Sequence, residues 1–551
     1  MIRVTERHQN VPEYVATSLT ALPLLYRGDH LYPYASYSDT AKVPVPRSML
    51  FIDLENDFLR VTIAPELGGR VHGIFDKRIG KEVLFANPVV RPTRILPIWA
   101  YVSGGIEFNF PIAHSPTSAE RVGYSTRREG DYAFVRVGER EARTGMEWTV
   151  ELGLLESEPI LIQRTALRNR TTSDHPWMMW SNCAVRSTPE TEFIYPDGSV
   201  LVHDTEARTV PWPAAGLNWE KNIRRMVGVF WTKGQGNHFG VFHHDLGFGL
   251  VHVADPNLVP GKKLWSYGCG RHRHWGELTS DTGESYAEIQ SGPLFDQGQK
   301  PMFPQGKEML LEEFWIPVHA RAAFDRVELP RLKLPPFQPE YLGYDHAPQQ
   351  VAWEKFRAGE GSLPSTPVLP GLELETPLRR ELASGNREAR LPLAVWLAFH
   401  KRPEEARAVL DQRLSALESW VAGLIERHGL KCPQRAVALL EASPMDDPIA
   451  IAELDKLYEQ LDMTTERQAL LATAQPHRLV TERKTNLALK MGNPAEALRL
   501  LTTTEWPLEH QRYVRTELWR RAREALGEPL SPVPESLGED DLAVFGAYWS
   551  E

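Results

Sequence analysis

The stretch Tyr286-Ala287-Glu288-Ile289-Gln290 has the residue types and spacing of a strand that lines a polar site. Successive side chains of a strand point to opposite faces, so Tyr286, Glu288 and Gln290 share one face while Ala287 and Ile289 share the other. The face with the carboxylate and the amide can line a pocket that binds substrate, while the other face packs. Solvated edge strands alternate in the same way, so both interpretations stay open.

A second cluster lies within residues 99–114, which combine aromatic side chains, a glycine pair, a carboxylate, an amide and a histidine. A sugar site needs this mixture, because the CH faces of a pyranose stack on aromatic rings and its hydroxyls pair with polar groups. Glu107 and His114 are candidate catalytic residues, and Asn109 is a candidate for substrate binding. Apolar neighbours are expected to raise the pKa of Glu107, as a general acid requires. The alternative is a buried turn in which Glu107 caps backbone amides.

A third cluster is the strand-like stretch Trp180-Ser181-Asn182-Cys183-Ala184. Alternation puts Trp180 and Asn182 on one face, and we expect both to bind substrate. Core packing around one satisfied amide explains the pattern equally well.

Histidines and carboxylates recur between residues 243 and 277. On extended chains His243 and Asp245 would share one face, as would His272 and His274. Six side chains of this region are predicted to bind substrate: His243, Asp245, His272, His274, Trp275 and Glu277. A metal site built from these histidines and a carboxylate is conceivable, but no compact helical motif fixes its geometry. Hydrogen bonding to sugar hydroxyls explains the same residues, so we expect neither a metal nor another cofactor.

Composition narrows the class of protein. The 551 residues are 42% hydrophobic and 24% charged, as in ordinary globular proteins, and the net charge of -10 argues against nucleic acid as a partner. The three cysteines have no paired spacing, which favours a reducing cytoplasm over a disulfide framework. The charged N-terminus lacks the apolar core of a signal peptide, and no window offers about 18 uninterrupted apolar residues. We therefore expect a cytoplasmic protein without membrane contact.

The elements that must position these clusters are short strands over residues 45–320, broken by Gly, Pro, Asn and Asp. Alternation predicts strands at residues 58–65, 132–137, 147–154, 160–170, 178–185, 240–252, 286–292 and 309–318. So many strands exceed one small sandwich and predict a large two-sheet β sandwich. We assign residues 1–335 to this β domain, with an N-terminal extension over residues 1–45.

The remainder of the chain changes character twice. Residues 336–380 are rich in proline and predict a linker that wraps the first domain, and residues 381–551 have helical periodicity. Pro403 and Pro494 stand where helices would begin, and the layout of helix, turn, Pro and helix resembles tetratricopeptide-type (TPR-like) hairpins. A degenerate solenoid and a simple helical cap both fit. Either one could support a homo-oligomer or bind a protein partner.

Four motifs together resemble the galactose mutarotase-like, or aldose 1-epimerase-like, superfamily, and more narrowly a bacterial family in which such a supersandwich precedes a TPR-like tail. The motifs are Gly68-Gly69-Arg70-Val71, Gly104-Gly105-Ile106-Glu107-Phe108-Asn109-Phe110, Trp180-Ser181-Asn182 and Tyr286-Ala287-Glu288-Ile289-Gln290. The resemblance covers residues 40–320 and implies a β supersandwich in which Glu288 is the base that removes the proton of the anomeric hydroxyl. Arg70 is a candidate for substrate binding. Mutarotases protonate the ring oxygen with a strand histidine, whereas this chain has Asn182 there, so His114 is the candidate acid.

The favoured function is a glycoside hydrolase in which Glu107 is the acid and Glu288 the base or nucleophile, with Glu277 in reserve. The first alternative is an aldose 1-epimerase with Glu288 as base and His114 or His243 as acid. The second is a carbohydrate-binding protein without turnover, whose helical tail recruits a partner. In each case the ligand is a mono- or oligosaccharide.

Overall fold

The computed structural model describes most of the chain, in two compact units. The described residues are 1–26, 32–96, 99–112, 114–203, 207–213, 216–223, 227–232, 236–269, 274–337, 339, 342, 347–411, 413–506 and 513–537. The first unit comprises Met1–Ala16, Thr40–Thr93 and Ala100–Pro348. The second comprises Thr17–Asp39, Arg94–Trp99 and Gln349–Glu551.

Two antiparallel sheets dominate the first unit. Among the described residues, twelve strands form the larger sheet, in the spatial order β1 (Arg3–Glu13), β4 (Val45–Glu55), β5 (Leu59–Ala64), β6 (Arg70–Asp76), β10 (Ile106–Asn109), β16 (Trp180–Arg186), β24 (Tyr286–Gly292), β23 (Gly261–Ser266), β20 (Val227–Trp231), β18 (Gly198–His203) and β19 (Ala207–Trp212), with β7 (Lys81–Glu82) beside β6. The smaller sheet has the order β11 (Gly123–Glu129), β12 (Tyr132–Arg140), β13 (Glu147–Leu155), β14 (Leu161–Arg168), β26 (Glu308–Val318), β22 (Phe248–Ala254), β21 (His238–His243) and β17 (Thr191–Ile194). Three short pairs complete the strands: β2 (Ala16–Ser18) with β3 (Tyr37–Thr40), β8 (Thr93–Leu96) with β9 (Trp99–Tyr101), and β15 (His175–Pro176) with β25 (Met302–Phe303).

The hydrophobic core lies between the two sheets. Ile106, Cys183 and Ile289 of the larger sheet belong to one buried cluster with Val150 and Leu250 of the smaller sheet. Removing these side chains from water drives the sheets together, at about 25 cal/mol for each Å² of apolar surface. Because strand side chains alternate, the other face of the larger sheet is left for the polar residues of the central strands.

Two sequence predictions in the first unit were wrong in detail. The single strand expected at residues 240–252 is a hairpin, since the turn at residues 244–247 separates β21 from β22 and Gly247 adopts a φ of 74° there. The stretch from His274 was expected to be extended, but His274–Thr279 forms the short helix α1.

Eleven described helices follow the β domain along the chain. They are α2 (Pro348–Ala358), α3 (Glu375–Ala383), α4 (Arg390–Phe399), α5 (Pro403–Val409), α6 (Ala416–Leu424), α7 (Pro433–Glu441), α8 (Pro448–Gln460), α9 (Thr464–Thr473), α10 (Arg478–Lys490), α11 (Pro494–Thr503) and α12 (Tyr513–Ala525). Proline begins α5, α7, α8 and α11, where the missing N–H has no helical partner to lose. Two of these helices, α2 and α3, reach into residues 336–380, the predicted linker. None of the described helices has the length and apolar character needed to cross a bilayer.

Candidate functional site

One row of side chains crosses the larger sheet on its polar face. Residues directly opposite on paired strands point to the same side, and the register aligns Glu107 with Asn182, Asn182 with Gln290, and Gln290 with Lys263. Arg70 extends the row beyond Glu107. Each of these five side chains belongs to a residue that is at most 5% exposed. The fold therefore gathers Glu107, Asn182 and Gln290, which the sequence analysis took from three separate motifs.

The carboxylate of Glu288 lies one pleat further along β24, opposite Ala184. The Tyr101 hydroxyl donates a hydrogen bond of 2.7 Å to its Oε1, and Gln290 Nε2 donates one of 2.6 Å to its Oε2. The Tyr286 hydroxyl lies 2.7 Å from that of Tyr101 and continues the network. Both carboxylate oxygens are thus held in place, and each keeps a lone pair that can accept a proton.

Glu107 forms an ion pair at the other end of the site. Its Oε2 lies 2.6 Å from His114 Nδ1, and its Oε1 lies 3.9 Å from Arg70 Nη2. Burial alone would raise the pKa of Glu107, but the charge and hydrogen bond of His114 outweigh it, with help from Arg70 and the Ser118 hydroxyl, and the pKa is lowered. This direction is opposite to the one expected from the sequence. Glu107 is therefore a carboxylate that orients His114 and not a proton donor at neutral pH.

Tyr101 spans the gap between these two groups. Its ring centroid lies 4.3 Å from that of His114, while its hydroxyl binds Glu288. Burial and then the charge of Glu288 raise the pKa of Tyr101 well above its usual value, so the phenol stays protonated and remains a donor. The proton acceptor Glu288 and the imidazole of His114 thus stand on either side of one tyrosine side chain.

Several buried polar atoms of this face make no hydrogen bond within the described structure. They are Asn182 Oδ1, Asn182 Nδ2, Trp180 Nε1 and Glu107 Oε1, although the Ser118 hydroxyl stabilises the Glu107 charge. An unsatisfied buried polar group costs about 1–3 kcal/mol, so folded proteins keep few of them. Trp180 and Asn182 lie on one face of β16, and Glu107 is directly across from Asn182. Such a concentration is typical of a face that binds a polar ligand.

Arg70 and Asn109 have structural partners instead. The five N–H groups of Arg70 are taken up by Leu67 O, Val102 O, Gly104 O, Ser118 O and Ser118 Oγ, which leaves none for a sugar. Asn109 accepts from the Ser115 N–H at 3.0 Å and donates to Trp180 O at 3.4 Å. The hydrogen bonds of Arg70 therefore give no support to its predicted contact with substrate. Both side chains fix the loop that carries His114.

Of the residues predicted between 243 and 277, His243 and Asp245 make their described contacts away from the polar row. His243 lies on the smaller sheet, where its Nδ1 is 2.8 Å from Thr191 Oγ1, and Asp245 in the following turn accepts from the Thr188 hydroxyl. His272 lies outside the described residues. The backbone of His274, Trp275 and Glu277 is helical, so the shared strand face predicted there was wrong. Within the described ranges, no cluster of three His, Cys, Asp or Glu side chains has a metal-binding arrangement.

Three residues of the candidate site were missed by the sequence analysis: Tyr101, Lys263 and Gln297. Lys263 Nζ donates to Gln297 Oε1 at 2.7 Å, and Gln297 Nε2 donates to Gln290 Oε1 at 3.0 Å, which connects Lys263 to the Glu288 network. One signal was available for Lys263. In Gly261-Lys262-Lys263-Leu264-Trp265, alternation turns one lysine to each face of a strand that is buried on both.

A cavity of about 590 Å³ opens elsewhere in the first unit. Its lining includes Lys81, Arg186, Phe248, Cys269 and Glu284. None of the residues of the polar row lines it. We locate the candidate site at the polar row, because the unpartnered polar atoms and the hydrogen-bonded Glu288 and His114 side chains lie there and none of these residues lines the cavity.

The fold class predicted from the sequence, a supersandwich followed by a TPR-like helical domain, is confirmed. A TPR-domain containing protein from Parabacteroides distasonis is 32% identical, with 98% of each chain covered and a TM-score of 0.92. A galactose mutarotase-like protein from Clostridium acetobutylicum is 11% identical, covering 49% of this chain and 96% of its own, with a TM-score of 0.37. A likeness at that level assigns no activity.

A family model described as a domain of unknown function, DUF5107, matches residues 27–318. A second model, described as a C-terminal domain, matches residues 371–522. The chain belongs to the DUF5107 family.

Proposed function

We propose that the polar face of the larger sheet binds a sugar and interconverts its anomers. The observation that carries this proposal is the buried, unpartnered amide of Asn182, flanked by Glu107 and lying diagonally across from Glu288. An amide offers one acceptor and two donors, which suits vicinal hydroxyl groups. Trp180, on the same face of β16, supplies an aromatic surface and an unpartnered N–H.

Anomer exchange requires one base and one acid. Glu288 removes the proton of the anomeric hydroxyl, and the electron pair of that O–H bond forms the carbonyl as the bond between the anomeric carbon and the ring oxygen breaks. His114 gives its proton to the ring oxygen. Its Nδ1 faces Glu107, so Nε2 is the nitrogen free for this step, and the carboxylate stabilises the imidazolium. Rotation of the aldehyde and the reverse steps return the other anomer.

Glycoside hydrolysis is the second candidate, because Glu107 and Glu288 are two carboxylates on one face. The lowered pKa of Glu107 speaks against it, since the acid of such a pair must hold a proton at the working pH. Hydrolysis would then need His114 as the proton donor to the leaving group.

Polarimetry on a panel of freshly dissolved aldoses, run beside an aryl glycoside panel, separates these functions. We expect accelerated mutarotation by the wild type, a loss of about 10²–10⁴-fold in Glu288→Gln, and no change in Glu328→Gln, an exposed carboxylate far along the chain. Release of aryl alcohol that depends on Glu288 would replace our proposal with hydrolysis. Sugar binding by calorimetry without either reaction would establish a binding protein.

A further inference from the structure

The polar row ends at a buried cation. Lys263 lies on β23 directly opposite Gln290, so it is a diagonal neighbour of Glu288 with a Cα separation of about 7–8 Å. The residue is 5% exposed. Lys263 is on the side of Glu288 away from Glu107, because β23 lies beside β24 on one side while β16, followed by β10, lies on the other.

Lys263 has the carboxylate of Glu288 as a diagonal neighbour but makes no ion pair with it in the described structure. Its Nζ donates to the neutral amide of Gln297 and lies 5.2 Å from the centroid of the Phe230 ring, and no described carboxylate forms an ion pair with it. Burial lowers the pKa of Lys263 to about 8, although the charge of Glu288 acts in the other direction. Ammonium groups are seldom buried without an anionic partner, because desolvation penalises the charge.

We propose that the substrate of this site is a sugar acid whose carboxylate binds Lys263. This inference rests on the proposed function and names its substrate class. The ammonium has three N–H donors and spends one on Gln297, so two remain for a carboxylate. Gln297 is itself held by Gln290, so two hydrogen bonds connect the ammonium to the row that contains Asn182.

A single positive charge favours a carboxylate over a phosphate. A phosphate group brings close to two negative charges and is usually met by arginine forks or several cations. The other cation of the row, Arg70, has all five N–H groups committed to the protein. Lys263 alone therefore matches the one charge of a sugar acid.

The same strand provides a matched control. Lys262 is 3% exposed, and burial lowers its pKa to about 8 as well, but it is aligned with Ser291 and points to the opposite face. Methionine keeps most of the length of either side chain without the charge. Thermal unfolding of both variants checks that each folds as the wild type does.

The experiment is calorimetric titration with neutral hexoses, hexuronic acids, ulosonic acids and hexose phosphates. We expect at least one sugar acid to bind the wild type about 10–100-fold more tightly than the matching neutral sugar, and Lys263→Met but not Lys262→Met to abolish that preference. Equal affinity for acid and neutral sugars, tighter binding of the phosphate, or a preference that survives in Lys263→Met would overturn the inference. Turnover of neutral aldoses with no preference for sugar acids would also overturn the inference, but it would leave the proposed function intact. Absence of binding and turnover for every sugar would instead remove the proposed function.

Discussion

Replacing the polar side chain of Asn182 by the apolar side chain of valine should stabilise the folded protein. The amide of Asn182 is 3% exposed, and neither its oxygen nor its nitrogen has a hydrogen-bond partner in the described structure. Removing one buried unsatisfied polar group recovers about 1–3 kcal/mol, and valine also suits a strand. We therefore expect the free energy of unfolding of Asn182→Val to rise by about 2 kcal/mol, with sugar binding lost.

Asn109→Val is the matched comparison. Asn109 is fully buried on the neighbouring strand, but its amide is used: it accepts from the Ser115 N–H and donates to Trp180 O. Loss of these bonds leaves a backbone donor unsatisfied and should lower the free energy of unfolding by about 1–3 kcal/mol. Urea unfolding followed by tryptophan fluorescence measures both variants, with an unchanged m value as the check on comparability. The reasoning fails if both variants lose stability to a similar extent, because Asn182 would then be as well satisfied as Asn109.

Three further predictions concern protons and hydrogen bonds. Tyr101→Phe removes the hydroxyl that donates a hydrogen bond to Glu288 Oε1. In a polarimetric assay this change should slow anomer exchange about 10–100-fold, with little change in sugar affinity. An unchanged rate would show that Tyr101 does not position the base. Burial raises the pKa of Glu139 to about 8, so the stability that its protonated form contributes is full below its ordinary pKa of 4.5 and is lost as the pH rises towards 8. Between pH 4.5 and pH 7 the free energy of unfolding of Glu139→Gln should therefore rise by roughly 3 kcal/mol relative to that of the wild type, as measured by urea titration. Parallel pH profiles of the two proteins would contradict this. In the helical unit burial would raise the pKa of Glu453, but His428 and then Arg427 lower it to about 2. The stability that its ionised form contributes is therefore present above pH 4.5 and is lost as the pH falls towards 2. Glu453→Gln should lose roughly 3 kcal/mol less unfolding free energy than the wild type over this acid range, and an equal loss in both proteins would count against the ion pair.

Local alternation predicted the strands well, because the period of two is set by the backbone and does not depend on the rest of the fold. Tyr286–Gly292 has the predicted bounds, and Glu288 and Gln290 share the predicted face. The same rule failed at residues 240–252, since an apolar run on each side of His244 hides a turn of only four residues. It failed again at His274, where a helix of six residues is too short to show a helical period.

The site itself was predictable only where one strand carried the signal. Glu288 and Asn182 were found because each stands out on its own strand. Tyr101 and Gln297 join the site through hydrogen bonds to residues 187 and 7 positions away, and sequence spacing gives no indication of such pairs. The pKa of Glu107 was expected to rise because its sequence neighbours are apolar, but its charged partner His114 is brought back by the loop that Asn109 anchors.

The most direct test of the account is the exchange rate between the two anomers of a sugar, measured by saturation-transfer NMR with the wild type, Glu288→Gln and His114→Gln. The account predicts exchange that is faster than the spontaneous rate in the wild type and lower by about 10²-fold or more in each variant, because the acid and the base are both required. Wild-type acceleration that persists in Glu288→Gln would contradict the assignment of the base, and exchange at the spontaneous rate for every sugar bound by the wild type would contradict the function.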